Sequence, residues 1–215
     1  MIKNELTKRI FSSIILIPIV LFIIIKGSVL FNFFISLCFL ITAHEWLQMS
    51  KPNIQKIFGL LFAIISFYSV FKIRNDFDQD YFHILLIVIV CMSTDIGGYI
   101  FGKIFKGPKL TKFSPKKTYA GVIGSFLLTI IFTILFFEIS LKIHNFTFTE
   151  EVFIFVLAVS LISQIGDIII SYFKRLSKIK DTGNIIPGHG GILDRIDGMI
   201  FAYPFSYIIF LIWNF

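Results

Sequence analysis

Long apolar runs dominate the chain and are broken by short polar intervals. Crossing a hydrocarbon core as a helix takes about 20 mostly apolar residues. Runs of that kind begin near Ile10, Val29, Ile57, Phe82, Tyr119, Val152 and Gly198. The pattern predicts an all-α, polytopic integral membrane protein with about seven transmembrane helices. The first two runs are separated only by Lys26 and Gly27. The chain reads as a single transmembrane domain over 1–215, with N-terminal helices over 1–80 and a chemistry-bearing portion over 81–215. Two intervals, 103–118 and 174–197, are long, polar and rich in Gly, Pro and Lys. Function concentrates in connections of that kind.

Composition sharpens this picture. Soluble domains are about 45–50% apolar and about 25% charged, whereas this chain is 56% apolar and 15% charged. Its 28 Phe among 215 residues exceed what a core of that size buries, and the mean hydropathy is +0.87. The surplus needs lipid as solvent. A net charge of +7 is compatible with nucleic acid by sign. The basic residues sit between apolar runs, however, where positive-inside bias places them, so no nucleic-acid partner is expected.

With the N-terminus in the cytoplasm, Lys3, Lys8, Arg9 and the segments 51–56, 103–118 and 174–197 share the cytoplasmic side. The other side receives Lys26, the acid-rich 72–80 segment and 142–151. This predicts an N-in, C-out protein of a cell inner membrane, with both polar loops facing the cytoplasm. The basic N-terminus leads into an apolar run with no small-residue cleavage site, and reads as a first membrane helix rather than a signal peptide. Cys38 and Cys91 lie inside apolar runs and read as small hydrophobes, not as a disulfide or metal pair. His44-Glu45-Trp46, at the end of the second run, reads as an interfacial belt with a cap and is assigned no chemistry.

The first polar loop carries Lys103, Lys106, Lys109, Lys112, Lys116 and Lys117, and ends Ser114-Pro115-Lys116-Lys117-Thr118. Charge alone fits a loop resting on anionic lipid heads. The compact cluster adds two ammonium groups and two hydroxyls at a helix entrance, where free amide donors suit a phosphate. The second loop mixes Lys174, Arg175, Lys180 and Arg195 with Asp181, Asp194 and Asp197 around Pro187-Gly188-His189-Gly190-Gly191. Carboxylates hold a hard cation while Lys and Arg neutralise phosphate oxygens, so the mixture suits a magnesium triphosphate. The alternative is a solvated interhelix loop with local salt bridges. Asp194 and Asp197 are three apart and share a face on a helical turn. His189 has no zinc-motif spacing and suits a phosphate or leaving-group contact.

Asp95 and Asp167 stand inside apolar runs, where an ionisable side chain is a functional hypothesis. A helix aligns Asp167 with Ser171 and Lys174, facing into the second loop. For Asp95 the alternative is structural, because Gly98 and Gly102 form a small-xxx-small packing face nearby.

Ser171-x-x-Lys174-Arg175, Lys180-Asp181, Pro187-Gly188-His189-Gly190-Gly191 and Asp194-Arg195-x-Asp197 together resemble the signature of the phosphatidate cytidylyltransferases, the CDP-diacylglycerol synthases. Ser114-Pro115-Lys116-Lys117-Thr118 with Gly121, and Asp95 with Gly97 and Gly98, resemble further motifs of that family. The resemblance covers about the C-terminal two-thirds of the chain. It departs at Ala120, where the family usually has Glu, and the chain looks short at its N-terminal end. The resemblance implies transfer of CMP from CTP to phosphatidic acid, a requirement for Mg2+ with or without a second cation, and a homodimer in contact with membrane lipid. It implies Asp167, Asp194 and Asp197 as metal ligands. Lys174, Arg175, Lys180, Asp181, His189 and Arg195 become catalytic contacts. Ser114, Lys116, Lys117, Thr118, Ser171, Gly190, Gly191 and Asp95 become substrate-binding residues. A CTP-dependent polyprenol kinase, an ion-coupled transporter using Asp95 and Asp167, and a lipid-binding scaffold are the rival readings.

Overall fold

The computed structural model describes residues 2–77, 81–111, 114, 117–144, 147–186, 188 and 190–213. The chain forms α1 (Ile2–Lys26), α2 (Ser28–Met49), α3 (Asn53–Lys72), α4 (Phe82–Phe105), α5 (Tyr119–His144), α6 (Glu150–Leu176), α7 (Leu193–Ile196) and α8 (Met199–Trp213). A π-helical turn, Ile73–Phe77, continues α3. Among the described residues, five helical segments are long and apolar enough to cross a membrane: Ser28–Met49, Asn53–Asp76, Phe82–Phe105, Tyr119–Ser140 and Glu150–Leu176. The first and last apolar runs also form helices, with shorter apolar stretches, Ile14–Lys26 and Met199–Trp213.

Helix breaks fall where the backbone chemistry demands them. Gly27 separates α1 from α2 at φ 60, and an added Cβ there would meet the Arg74 guanidinium. Pro52, extended at ψ 140, precedes the first residue of α3, because proline lacks the amide that a continuing helix needs. Outward stripes are apolar: Phe33, Leu37 and Leu40 on α2, and Ile123, Leu127, Ile131 and Leu135 on α5, are all exposed. Large exposed apolar stripes at helical spacing are what lipid-facing helices present.

The chain divides into two compact units. The first joins Met1–Ile84 to Phe173–Asp197, so the second polar loop belongs with the N-terminal helices. Trp46 organises it. Its indole Nε1 donates to the Gln55 carbonyl at 3.1 Å, and its ring meets Phe173 edge-on at 5.1 Å. The same ring fills the space beside Gly59 that a Cβ would occupy. Ser177 Oγ donates to the Met49 carbonyl at 2.6 Å, tying the start of the loop to the end of α2.

The second unit joins Leu85–Tyr172 to Gly198–Phe215. Here α4 and α5 approach to backbone contact: a Cβ on Gly97 would lie 2.4 Å from the Gly124 carbonyl oxygen, and one on Gly121 2.8 Å from that of Gly98. Small residues permit such approach in lipid, where packing and polar contacts replace hydrophobic driving force. A buried polar seam supplies the contacts. The Thr94 hydroxyl lies 2.9 Å from that of Thr129 and 2.8 Å from that of Ser160. Ser125 Oγ donates to the Thr94 carbonyl at 2.7 Å.

Candidate active site

In the second unit, the loop between α4 and α5 folds back on itself. Leu110 N–H donates to the Lys117 carbonyl at 2.8 Å, and Tyr119 N–H donates to that of Pro108 at 3.3 Å. Thr118 then caps α5, its hydroxyl oxygen accepting the Gly121 amide at 3.1 Å, the usual service of a threonine at a helix start. This placement aims Lys117 at α6, where its ammonium pairs with Asp167 at 2.5 Å and donates to the Gln164 carbonyl at 3.3 Å. Ser171 Oγ donates to Asp167 at 3.2 Å.

Around this pair lies a pocket of about 270 Å³, lined by Asp95, Ser114, Lys117, Thr118, Gln164 and Asp167 among others. Its glycines, Gly98 and Gly121, are those of the α4–α5 contact. The glycines of the Asp95 region pack the helices, and that packing sets Asp95 on a pocket wall. The volume lies just below the ~300 Å³ at which small-ligand sites begin, enough for a polar head rather than a whole lipid. One lysine, five hydroxyl-bearing side chains and two carboxylates around such a space suit phosphate oxygens and a hard cation.

In the first unit, the 174–197 loop is organised by buried carboxylates. Lys174, 8% exposed, donates to Asp194 Oδ1 at 2.9 Å and stands 3.8 Å from Asp197. Asp194 Oδ2 accepts the Thr182 amide at 2.7 Å and the Gly191 amide at 3.0 Å. Burial alone would raise the Asp194 pKa. The hydrogen bonds from Lys174, Gly191 and Thr182 outweigh it and hold the carboxyl below its ordinary value. Ile186 and Gly190 exchange backbone bonds of 2.9 and 3.2 Å, closing the Gly-rich turn. Gly190 has φ +90, and a Cβ there would lie 2.8 Å from Asp194 Oδ2, so glycine is required twice over.

The expected residues thus fall into two groups. Asp95, Ser114, Lys117, Thr118, Asp167 and Ser171 gather in the second unit; Lys174, Asp194, Asp197, Gly190 and Gly191 gather in the first. Arg175, Lys180, Asp181 and Arg195 are exposed, with Arg175 donating to the Ile179 carbonyl at 3.1 Å. Lys116 and His189 lie outside the described residues. Ala120 occupies the first turn of α5, half-buried. Glu45 departs from its expected place at a helix end facing the interface. It is 2% exposed, and its carboxylate accepts from Thr182 Oγ1, the Ile192 amide and the Leu193 amide at 2.9, 3.0 and 2.8 Å. In the sequence it is a glutamate at the end of an apolar run, a position that gives no sign of burial.

The residues fit magnesium in their donor chemistry. Asp167 is half-buried on the pocket wall with oxygen ligands to offer, whereas the Asp194 oxygens already hold three donor groups. Among the described residues, no three Asp, Glu, His or Cys side chains gather around one point suited to an ion.

The family model described as the cytidylyltransferase family matches residues 7–71 and 54–213. A phosphatidate cytidylyltransferase of Rickettsia bellii (strain RML369-C) is 36% identical, the match covering 96% of this chain and 91% of that protein. The protein of the same name from Rickettsia conorii (strain ATCC VR-613 / Malish 7) is 35% identical over 92% of this chain and 88% of its own. That of Brucella suis biovar 1 (strain 1330) is 32% identical over 88% and 68% respectively.

Proposed function

The chain belongs to the cytidylyltransferase family, and from that premise we propose that it transfers CMP from CTP to phosphatidic acid, giving CDP-diacylglycerol and pyrophosphate. The near full-length match to proteins named for that reaction carries the reading. The lysine-and-carboxylate pocket of the second unit supplies chemistry of the matching kind.

A phosphate oxygen of phosphatidic acid attacks the α-phosphorus of CTP. The new P–O bond forms as the α–β bridging bond breaks, and pyrophosphate leaves. The protein's task is to bring two anions together and neutralise them in line. Lys117, Ser114 and Thr118 hold phosphate oxygens in the pocket, with Asp95 on its wall, Ser171 bonded to Asp167, and Lys116 a candidate contact of the same anion. Arg175, Lys180 and Arg195 are the candidate contacts for the second anion, together with the Gly190 and Gly191 backbone, Asp181 and His189. Lys174 holds Asp194 and Asp197 in place. Magnesium, alone or with a second cation, supplies Lewis-acid neutralisation of phosphate oxygens when bound. Asp167 in the second unit, and Asp194 and Asp197 in the first, are the carboxylates that would offer oxygens to it, Asp194 giving up existing donors to do so.

The distribution of Lys and Arg supports the N-terminus and both polar loops in the cytoplasm; the apolar helices, with α1 and α8 counted, support seven crossings, and the bacterial relatives support an inner membrane. The family resemblance supports a homodimer. Purified protein in detergent, given CTP, phosphatidic acid and magnesium, is expected to release pyrophosphate only when all three are present, with CDP-diacylglycerol as lipid product. Formation of CDP and a lipid phosphate from a polyprenol, with no CDP-diacylglycerol, would replace this reading by the kinase.

A further inference from the structure

Glu45 stands far from the signature loop in the chain, yet its carboxylate is bonded to that loop. Its two carboxylate oxygens receive the Ile192 and Leu193 amides and the Thr182 hydroxyl, donors 137 to 148 residues away in sequence. The Thr182 hydroxyl also lies 3.1 Å from Asp194, but it has one proton to give. Asp194 is already supplied by Lys174 and by the Thr182 and Gly191 amides, so that proton belongs to Glu45.

The loop is shaped to receive this carboxylate. A Cβ on Gly191 would lie 2.4 Å from Glu45 Oε2, and one on Gly183 2.8 Å from Oε1. Two glycines therefore leave the space that the carboxylate fills. The packing of α2 against α3 and the loop is provided separately by the neighbouring Trp46. A side chain needed only to fill space would be apolar, because a buried carboxylate is expensive unless its donors are directional and complete.

We propose that Glu45 is a positioning residue for the reaction: its carboxylate fixes the backbone at 182–183 and 191–193, and so sets where the flanking cations Lys180 and Arg195 meet the anionic substrates. The proposal rests on the cytidylyltransferase reading and adds to it a residue of the N-terminal helices. Outer partners that orient first-contact groups typically contribute about 10–100-fold to activity.

The test compares wild type, Glu45→Gln, Thr182→Val, Thr182→Ser and the double variant Glu45→Gln/Thr182→Val in detergent, with CTP, phosphatidic acid and magnesium. Turnover is expressed per folded molecule, with melting temperature measured in parallel. Glu45→Gln should lower kcat about 10–100-fold, because its NH2 group faces an amide donor. Thr182→Val should also lower kcat and Thr182→Ser should restore it. The double variant should lose less than the product of the two single losses, since both variants act on the donor set of one carboxylate. A purely structural role would lower melting temperature and folded fraction but leave turnover per folded molecule unchanged, and that outcome overturns the proposal. Losses that simply multiply in the double variant also overturn it. If Glu45→Gln does not fold, the Thr182 pair decides: equal turnover in the Val and Ser variants refutes the proposal. A folded wild type that makes no CDP-diacylglycerol defeats the functional reading and the positioning role with it. An active wild type with unaffected variants defeats the positioning role alone.

Discussion

Replacing Lys117 with Met keeps the reach and apolar stem of the side chain and removes only the charge facing Asp167. The side chains of that pair are 24% and 23% exposed, so solvent screens them and their attraction contributes at most about 1 kcal/mol to stability. Asp167 retains the Ser171 hydroxyl as a donor at 3.2 Å, which softens the loss further. For a chain of this size, about 1 kcal/mol corresponds to a shift of roughly 2–4 °C in melting temperature. Turnover has a different scale. A preorganised charge that meets developing negative charge in the transition state is worth about 10²–10³ in kcat, or roughly 2.7–4 kcal/mol. Lys117→Met should therefore melt within a few degrees of wild type while losing at least about a hundredfold in CDP-diacylglycerol formation. The assay is pyrophosphate release at saturating CTP and phosphatidic acid, alongside thermal unfolding of the same preparation. A kcat within about threefold of wild type at unchanged melting would show that Lys117 only braces Asp167. A loss that matches the unfolded fraction would refute the separation of the two magnitudes.

Asp194→Asn should show the opposite balance of effects. Its partner Lys174 has a side chain only 10% exposed, and Asp194's own is 2% exposed. Leaving that ammonium without its carboxylate should destabilise the protein by about 3–5 kcal/mol, read as a fall in melting temperature, and turnover should be lost as well. The pH dependence follows from the lowered Asp194 pKa. Stability from a depressed carboxyl is fully present above the ordinary value near 3.9 and is lost as pH falls through the folded pKa. Melting of wild type should thus drop faster than that of Asp194→Asn below about pH 4, and parallel curves would contradict the assignment. Gly97→Ala places a methyl 2.4 Å from the Gly124 carbonyl oxygen. Forcing α4 from α5 should cost about 1–3 kcal/mol and disturb the pocket built on that contact, so melting temperature and turnover should fall together; wild-type melting would refute the close approach.

The helices were legible because a lipid-solvated helix must be apolar over its whole length, and that requirement is written locally in each run from α2 to α6. The polar loops were legible for the same reason in reverse, since Lys, Asp and Gly have no other cause to cluster between such runs. Burial was not legible. Lys174, Arg175, Lys180 and Arg195 read as four equivalent cations in the sequence, yet Lys174 is 8% exposed and held between two aspartates while the other three face outward. Sequence records the charge of a lysine but not the carboxylate that neutralises it, and only the partner decides whether the ammonium is available to a phosphate. Glu45 shows the same gap at longer range. Locally it is one acid between His44 and Trp46 at the end of an apolar run, a pattern that an interfacial helix end explains fully. Its donors lie beyond four intervening helices in the chain order, α3 to α6, and no spacing rule links positions 45 and 182. The consequence is physical rather than statistical. The motifs that carry the family resemblance begin at Asp95, but the backbone of the most specific of them is held by a carboxylate from α2. The N-terminal helices are therefore part of what shapes the loop, and a variant there can reach the chemistry without touching a substrate.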